Sequence, residues 1–447
     1  MKNIASALLL LAALPLSAQD HFSGINTSQR VGIQKANLNP AELANLQSTY
    51  EVHVISFSVG VANNKIGFSD LAGDEDIEDM IFAGSEAADV RFDGEIIGPS
   101  FAYKLDKWGF AVTTKAFAKL DLVDIDTNIG DAISNSDVLF GSTTINNNYN
   151  QRLNGTTWGE LAFSAGRNLY DSDKHRFNVG ATIKLLFPGS YANFGANGFN
   201  GTITNGLGSA YLNDAQANLN ITYSGNLADN FTNFNDYWSS LFGRLNGIAA
   251  DLGANYQLKG KDNSQYLVNA GLSIRNIGSM TFKDSNNSST NYELLIPSND
   301  QGLDLSQFDD TNSLEEVEQI LLNSGYLDRT TAEDTDFKVK LPTVLSIYAD
   351  IKLVNSFYVT LFTKQKLNQD EENKQITSQN IFSVTPRYVW ENIELWSNWS
   401  SNEISGLAGG LGFRAYGFYI GSGSAITALI SDAKQADVYL GYSFGLK

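Results

Sequence analysis

The chain contains no cysteine, only three histidines and only seven prolines in 447 residues. Without cysteine there is no disulfide framework, thiol nucleophile or thiolate metal site, and that composition suits an exported protein in an oxidising compartment. His21, His53 and His175 lie too far apart for an H-E-x-x-H motif. A P-loop and a G-x-S-x-G elbow are also missing, because Ala162-Phe163-Ser164-Ala165-Gly166 lacks the first glycine. No catalytic constellation, metal site or cofactor site can therefore be read from the sequence. Positive charge is scarce as well. Thirty Lys and Arg face 49 Asp and Glu, a net charge of −19, which excludes the basic surface that nucleic acid selects. Beyond the first twenty residues no apolar run reaches the ~18 residues of a membrane helix.

What is present is alternation. From Asp437 to Lys447, Val438, Leu440, Tyr442, Phe444 and Leu446 share one parity, opposed by Tyr439, Gly441, Ser443 and Gly445. About ten such residues, tilted, cross ~30 Å of hydrocarbon. The pattern recurs in 108–120, 177–187, 247–259, 266–274 and 341–353, where charge repeatedly falls on the polar parity. A mean hydropathy of −0.18 is compatible with a barrel, because lipid-facing and lumen-facing residues cancel in any averaging window. Alternation alone also fits a soluble sandwich. Turn lengths decide between them: tight connections at 106–107, 171–174, 260–263, 354–355, 391–392 and 415–417 alternate with longer ones, as in outer-membrane barrels. The pairs are 49–61 with 94–105, 108–120 with 157–170, 175–187 with 247–259, 264–277 with 340–352, 355–367 with 377–390, 392–402 with 404–415 and 416–426 with 435–447. The fold class expected is all-β: a transmembrane antiparallel β-barrel of about fourteen strands (range about 12–16), closed by pairing of the last strand with the first.

Met1-Lys2, the apolar stretch 4–16 and Ser17-Ala18-Gln19 read as a signal peptide over residues 1–19. Residues 20–48 form a separate N-terminal segment. In it Asn39 caps a short helix, Pro40 takes the first position and Glu42 returns a bond to the cap. This helix is either a plug at the periplasmic mouth or an ordinary N-terminal cap. Residues 49–447 form the barrel. Two long insertions, 188–246 and 278–340, contain a hairpin near Leu219 to Tyr223 and an amphipathic helix opened by the capping box Ser313-Leu314-Glu315-Glu316 and stopped by Gly325. That helix is either a lid entering the lumen or a helix packed on the rim. The acidic clusters at 74–79, at Asp121, Asp124 and Asp126, and at Asp370, Glu371 and Glu372 read as solvated loops. Trp108, Trp390, Trp396 and Trp399 fit interfacial belts. Pro99 and Pro386 imply wall irregularities, either a lateral exit for an apolar ligand or local kinks without function.

The Ser-Ala-Gln end of the signal peptide, the Asn39-Pro40-Ala41 element before the first strand and the alternating end at 438–446 resemble the uncharacterised outer-membrane barrels of the Bacteroidota, a domain of unknown function. More distantly the chain is similar to the long-chain fatty-acid transporter superfamily. That resemblance implies a fourteen-stranded barrel in the outer membrane, with Asn39, Pro40 and Ala41 in an N-terminal hatch. The chain departs from many outer-membrane proteins in ending Phe444-Gly445-Leu446-Lys447 rather than on an aromatic residue. The function expected is passive transport or uptake of a small or amphipathic molecule; the alternative is a non-transporting scaffold holding a protein partner. The partners expected are outer-membrane lipid and either such a ligand or such a protein. The lumen-lining residues expected from parity and charge are Lys115, Lys119, Glu160, Lys184, Asp251, Lys259, Arg275, Asp350 and Arg414.

Overall fold

A computed structural model describes residues 21–446 apart from 68–69, 71–79, 130–140, 207–208, 227–241, 261–265, 284–285, 309–310, 332–334 and 432. The signal peptide and the acidic cluster at 74–79 lie outside the described residues.

Fourteen antiparallel strands form a closed ring. In chain order they are β1 (Tyr50–Asn63), β2 (Ala88–Ile97 continued by Ser100–Leu105), β3 (Trp108–Ile125), β4 (Asn150–Asp171), β5 (His175–Gly206), β6 (Gly247–Lys259), β7 (Tyr266–Phe282), β8 (Val344–Val354), β9 (Phe357–Lys366), β10 (Ile381–Trp390), β11 (Ile393–Asn402), β12 (Gly406–Ala415), β13 (Phe418–Ser422) and β14 (Gln435–Leu446). Each pairs with its chain neighbours. Closure comes from β14 on β1, paired from Tyr50 opposite Leu446 to Ala62 opposite Gln435 with one register shift between His53 and Ile55. A ring leaves no strand edge unpaired, the condition for a sheet in hydrocarbon, where water cannot satisfy backbone groups.

The ring is inverted relative to a soluble protein. Phe57, Val59, Phe110, Val112, Phe163, Ile183, Leu252, Leu272, Ile347, Leu395, Leu411, Ile420, Val438, Leu440 and Tyr442 point outward and are exposed, while Glu51, Ser56, Glu160, Asn178, Asp251, Asn255, Asp350, Arg387 and Glu394 are buried inside. A continuous apolar exterior around a polar interior is a lipid-facing wall. The chain is a transmembrane β-barrel. Trp108, Trp390 and Trp399 face outward, as interfacial residues do. Trp396 does not. It is turned into the lumen, 3 % exposed, with its indole donating to Tyr439 Oη at 3.0 Å.

The wall strands β4 and β5 are longer than expected. At ~3.3 Å per residue, the 32 residues of β5 extend far beyond a ~30 Å hydrocarbon layer. Their outer halves continue into a sheet with the strands Gly141–Asn146, Ser209–Ser224, Ser288–Ile296 and Leu327–Arg329. The expected hairpin near Leu219 is therefore part of this projecting sheet. The helix α2 (Leu314–Asn323) packs on it through Leu314 and Leu321 and stays out of the lumen. An outlying apolar sheet face had to be covered, and sequence periodicity could not locate that face. Ser313 Oγ accepts from the Glu316 amide at 3.1 Å, whereas the Glu316 carboxylate returns to Asn312 N rather than to the cap residue itself. The buried Glu318 carboxylate accepts from the phenols of Tyr223 and Tyr292, both of which are pushed up by burial and by this bond.

The two strand prolines differ. At Gly98-Pro99 strand β2 is broken, yet it keeps one register on β1 on both sides of the break; the shift in β1, between His53 and Ile55, is against β14 on its other side. Pro386 sits in β10 without a register shift on either side.

Candidate functional site: a plugged lumen and the cavity above it

Residues 21–48 fold into the lumen at the end of the barrel that carries the short turns. They contain helix α1 (Gly32–Leu38), which sequence reading missed, followed by a 3-10 turn (Pro40–Asn45). Asn39 caps that turn, its Oδ1 accepting from the Ala41 amide at 3.0 Å, a bond of ~1 kcal/mol. Glu42 makes no return bond to the cap. Its carboxylate is taken up by the barrel wall, accepting from Asn255 at 3.0 Å, from Asn269 at 2.8 Å and from the Tyr348 phenol. Within the segment it accepts from Asn45 at 2.7 Å and lies 3.3 Å from the Lys35 ammonium. A carboxylate that deep is tolerable only when every lone pair has a donor; the asparagines of β6 and β7 supply them.

The wall makes room for this turn with glycine. Gly109, Gly166, Gly180 and Gly253 are register partners across β3, β4, β5 and β6, and the row continues through Ser273 and Ser346. A Cβ at Gly109 would lie 2.1 Å from the Leu43 carbonyl oxygen, at Gly180 2.4 Å from the Ala41 nitrogen, and at Gly253 2.0 Å from Asn39 Oδ1. The Asn39-Pro40-Ala41 backbone thus lies directly on bare sheet, which side chains would forbid.

The segment reaches the rest of the ring through polar contacts. Ser28 donates to Glu394 on β11, Gln34 to Tyr419 on β13, and Asn39 to the Ala254 and Leu272 carbonyls on β6 and β7. The Glu51 carboxylate on β1 caps the start of α1, accepting from Gly32 N and Ile33 N at 3.0 and 2.9 Å. Lys104 on β2, Arg414 on β12 and Tyr439 on β14 donate to its backbone carbonyls, and Thr27 lies 3.4 Å from Thr360 on β9. Arg387 on β10 donates to the Gly24 carbonyl, and Tyr348 carries β8 into the Glu42 cage. With the glycine row, every wall strand touches the segment.

Above it lies a cavity of about 150 Å³. Its lining mixes charge with apolar surface: Arg91, Asp93, Lys115, Lys119, Glu160 and Lys184 stand with Phe117 and Trp158 between them on β3 and β4, and Leu341, Pro342 and Val344 also face it. Lys119 pairs with Asp93 and Lys115 with Glu95 at 2.9 Å; Lys184 lies 3.0 Å from Asp251 and 3.6 Å from Glu160. Phe117 and Trp158 stack with centroids 4.4 Å apart. His21, the first described residue, forms part of the floor. Its Nε2 lies 2.9 Å from Asp93 Oδ1, and its Nδ1 lies 2.8 Å from Ser58 Oγ. Burial disfavours the imidazolium, but the Asp93 carboxylate, helped by Glu95, outweighs it and holds His21 above the usual histidine range, against the opposing Lys119 charge.

The nine residues expected in the lumen fall at three levels. Lys115, Lys119, Glu160, Lys184 and Arg275 line the cavity, with Asp251 on Lys184. Asp350 and Arg414 lie beside the plug: Asp350 accepts from Arg387 at 2.8 Å and from the Tyr266 phenol, and Arg414 donates to the Arg30 carbonyl at 3.3 Å. Arg275 also reaches the plug, through the Asn37 carbonyl. Lys259 pairs with Asp171 where β6 meets the short turns, away from the cavity. Sequence reading missed Arg91, Asp93, Asp121 and Arg152, all inward-facing. The expected strands 94–105, 108–120 and 157–170 leave all four just outside a strand. The alternation Arg91-Asp93-Glu95 and Arg152-Asn154-Thr156 continues the inward parity and was the signal available. Asp121 is correspondingly no loop residue. It lies in β3, 2 % exposed, opposite Arg91.

A family of unknown function, DUF5723, matches residues 40–423. The chain belongs to this family. The match begins at Pro40, inside the turn that lies on the glycine row. No curated protein matches the chain. Among solved structures it is similar to the toluene transporter TbuX of Ralstonia pickettii, with 11% identity, a TM-score of 0.42, and 94% of this chain and 96% of that one covered. It is also similar to the toluene transporter TodX of Pseudomonas putida, with 10% identity, a TM-score of 0.39, and 94% of each chain covered. A third is the translocator domain of autotransporter NalP from Neisseria meningitidis, with 8% identity, a TM-score of 0.32, and 92% of this chain and 93% of that one covered. For this family member these likenesses concern architecture.

Proposed function

We propose that this chain is an outer-membrane barrel that admits a small amphipathic molecule by passive passage, with residues 20–48 acting as its hatch. The observation that carries this reading is the pairing of a lumen segment in contact with every wall strand with a cavity directly above it whose lining interleaves charged and aromatic side chains. A molecule that carries both polar and apolar groups matches that lining. The segment is held by small apolar clusters around Phe22 and Ile25, around Ile33 and Leu43, and at Leu38, together with hydrogen bonds to polar wall side chains. The hydrogen-bonded contacts can be exchanged for water when the segment moves. The outward wall takes lipid as its partner.

The test is swelling of liposomes of phosphatidylethanolamine and phosphatidylglycerol in 6-aminohexanoate, a small zwitterion with an apolar body. Protein lacking residues 20–48 is expected to swell the liposomes at least several-fold faster than intact protein. Equal rates for the two, with both showing the heat-modified mobility of a folded barrel, would count against a hatch.

A further inference from the structure

The outer end of the cavity is closed by something sequence reading took for solvated loop. Residues 367–380 leave β9 and, instead of turning over the rim, cross the lumen to the opposite wall. Gln375, Ile376 and Thr377 are at most 2 % exposed. Ile376 sits among Tyr191, Phe282, Phe337 and Leu341. Thr377 donates to Asp121 on β3. Arg152 on β4, itself fully buried, donates Nη2 to the Gln375 carbonyl at 3.1 Å and Nη1 to the Asp370 carbonyl, and Asn150 donates to the Glu371 carbonyl at 2.7 Å. Asp370 further lies 3.5 Å from Arg91 on β2. Connections normally run over the surface, because a buried one strands backbone polar groups. Here one guanidinium meets that need for two carbonyls. Thr377, Ser378 and Gln379 then line the cavity.

We propose that residues 367–380 are an outer gate, latched shut in this structure by Arg152. The inference deepens the transport reading and rests on it for the cavity's use, but the gate's motion can be tested apart from transport. Two features separate a gate from a fixed brace. The loop completes the cavity lining, so moving it opens the cavity toward the long-loop side. The docked state also carries a penalty: Gln375 is wholly buried, and neither atom of its amide has a hydrogen-bond partner among the described residues. Undocking would hydrate that amide, so the closed position is held by the latch, the Ile376 socket and two backbone bonds between Lys340 and residues 374 and 376, against a built-in cost.

The natural absence of cysteine makes the test direct. Ser58, on the cavity wall, is replaced (Ser58→Cys) in the full-length protein, and its modification rate by a cationic methanethiosulfonate is measured in detergent micelles. The rate is expected to be slow with the native loop and at least tenfold faster after Arg152→Gln. A Cβ at Gly195 lies 3.2 Å from Asn373 Cγ, which puts a Gly195→Cys/Asn373→Cys pair within disulfide reach. Once formed, that disulfide is expected to hold the rate low in the Arg152→Gln chain too. If Arg152→Gln fails to show the mobility of a folded barrel, the disulfide pair in the otherwise native chain decides, its oxidised form expected to react more slowly than its reduced form. Equal Ser58→Cys rates in all these forms, or failure of the pair to crosslink, would overturn the gate. Gate behaviour without liposome swelling would leave a gated barrel that does not transport; swelling with an unresponsive Ser58→Cys rate would leave a transporter with a fixed rim.

Discussion

At the scale of single residues, the seat of the plug is defined by what is missing from the wall. Gly180 is the clearest case, because an added methyl would meet the backbone at Pro40 and Ala41 rather than a movable side chain. Gly180→Ala is expected to weaken plug docking by about 1–3 kcal/mol while leaving the barrel intact. Limited proteolysis should then cut within residues 21–48 faster, with the heat-modified mobility unchanged. Asn39 and Pro40 were legible as a capped helical start, because cap and first-turn preferences are local chemistry. The partners of Glu42 were not. Its cage is assembled from Asn255, Asn269 and Tyr348, more than two hundred residues away, and no local pattern encodes that meeting.

At the scale of elements, the plug's first turn is tied to the wall by a titratable contact. The docked His21 has its pKa raised by Asp93. Its contribution to docking is therefore fully present below the free-histidine value of about 6.5 and is lost as pH rises through the docked value. Hydrogen exchange of residues 21–28, corrected for its intrinsic pH dependence, is expected to increase a few-fold from about pH 6 to about pH 9 and to show no such increase in His21→Asn. A flat profile in the native chain would remove this contact from the docking energy. The wall strands themselves were readable, because period-two alternation on a lipid-facing sheet is strict. Their outer ends were harder to read, since in β4 the polar parity of Arg152, Asn154 and Thr156 continues while the other parity, with Gln151, Gly155 and Thr157, is no longer apolar throughout. The loop 367–380 was misread for a related reason. Asp370, Glu371 and Glu372 look solvated, yet the residues just after them are buried, and charge content reports only on the exposed part.

At the scale of the whole molecule, closure of β14 on β1 decides whether there is a barrel. The expected partner strands, 416–426 and 49–61, are the observed neighbours of the last strand. Truncation after residue 434 would expose two sheet edges, each unsatisfied group costing several kcal/mol in hydrocarbon. The truncated chain is expected to lose both membrane insertion and heat-modified mobility on gels. A truncated chain that kept both would show that the ring is not what stabilises the wall.

The plug's reach around the ring also sets an order of events. Ser23 meets Tyr439 across 416 positions of sequence, and Thr27 meets Thr360 across 333. The earliest-made piece of the folded chain therefore cannot complete its contacts until the last strand is in place. Contacts of such separation form late, because the intervening chain must first be closed into a loop. Until β14 arrives the lumen has no finished floor. A fully seated plug thus certifies a finished barrel: a chain stalled before closure would lack the Tyr439 bond to Ser23 and hold the start of that segment loose, where proteases can reach it, and a completed one would withdraw it from view.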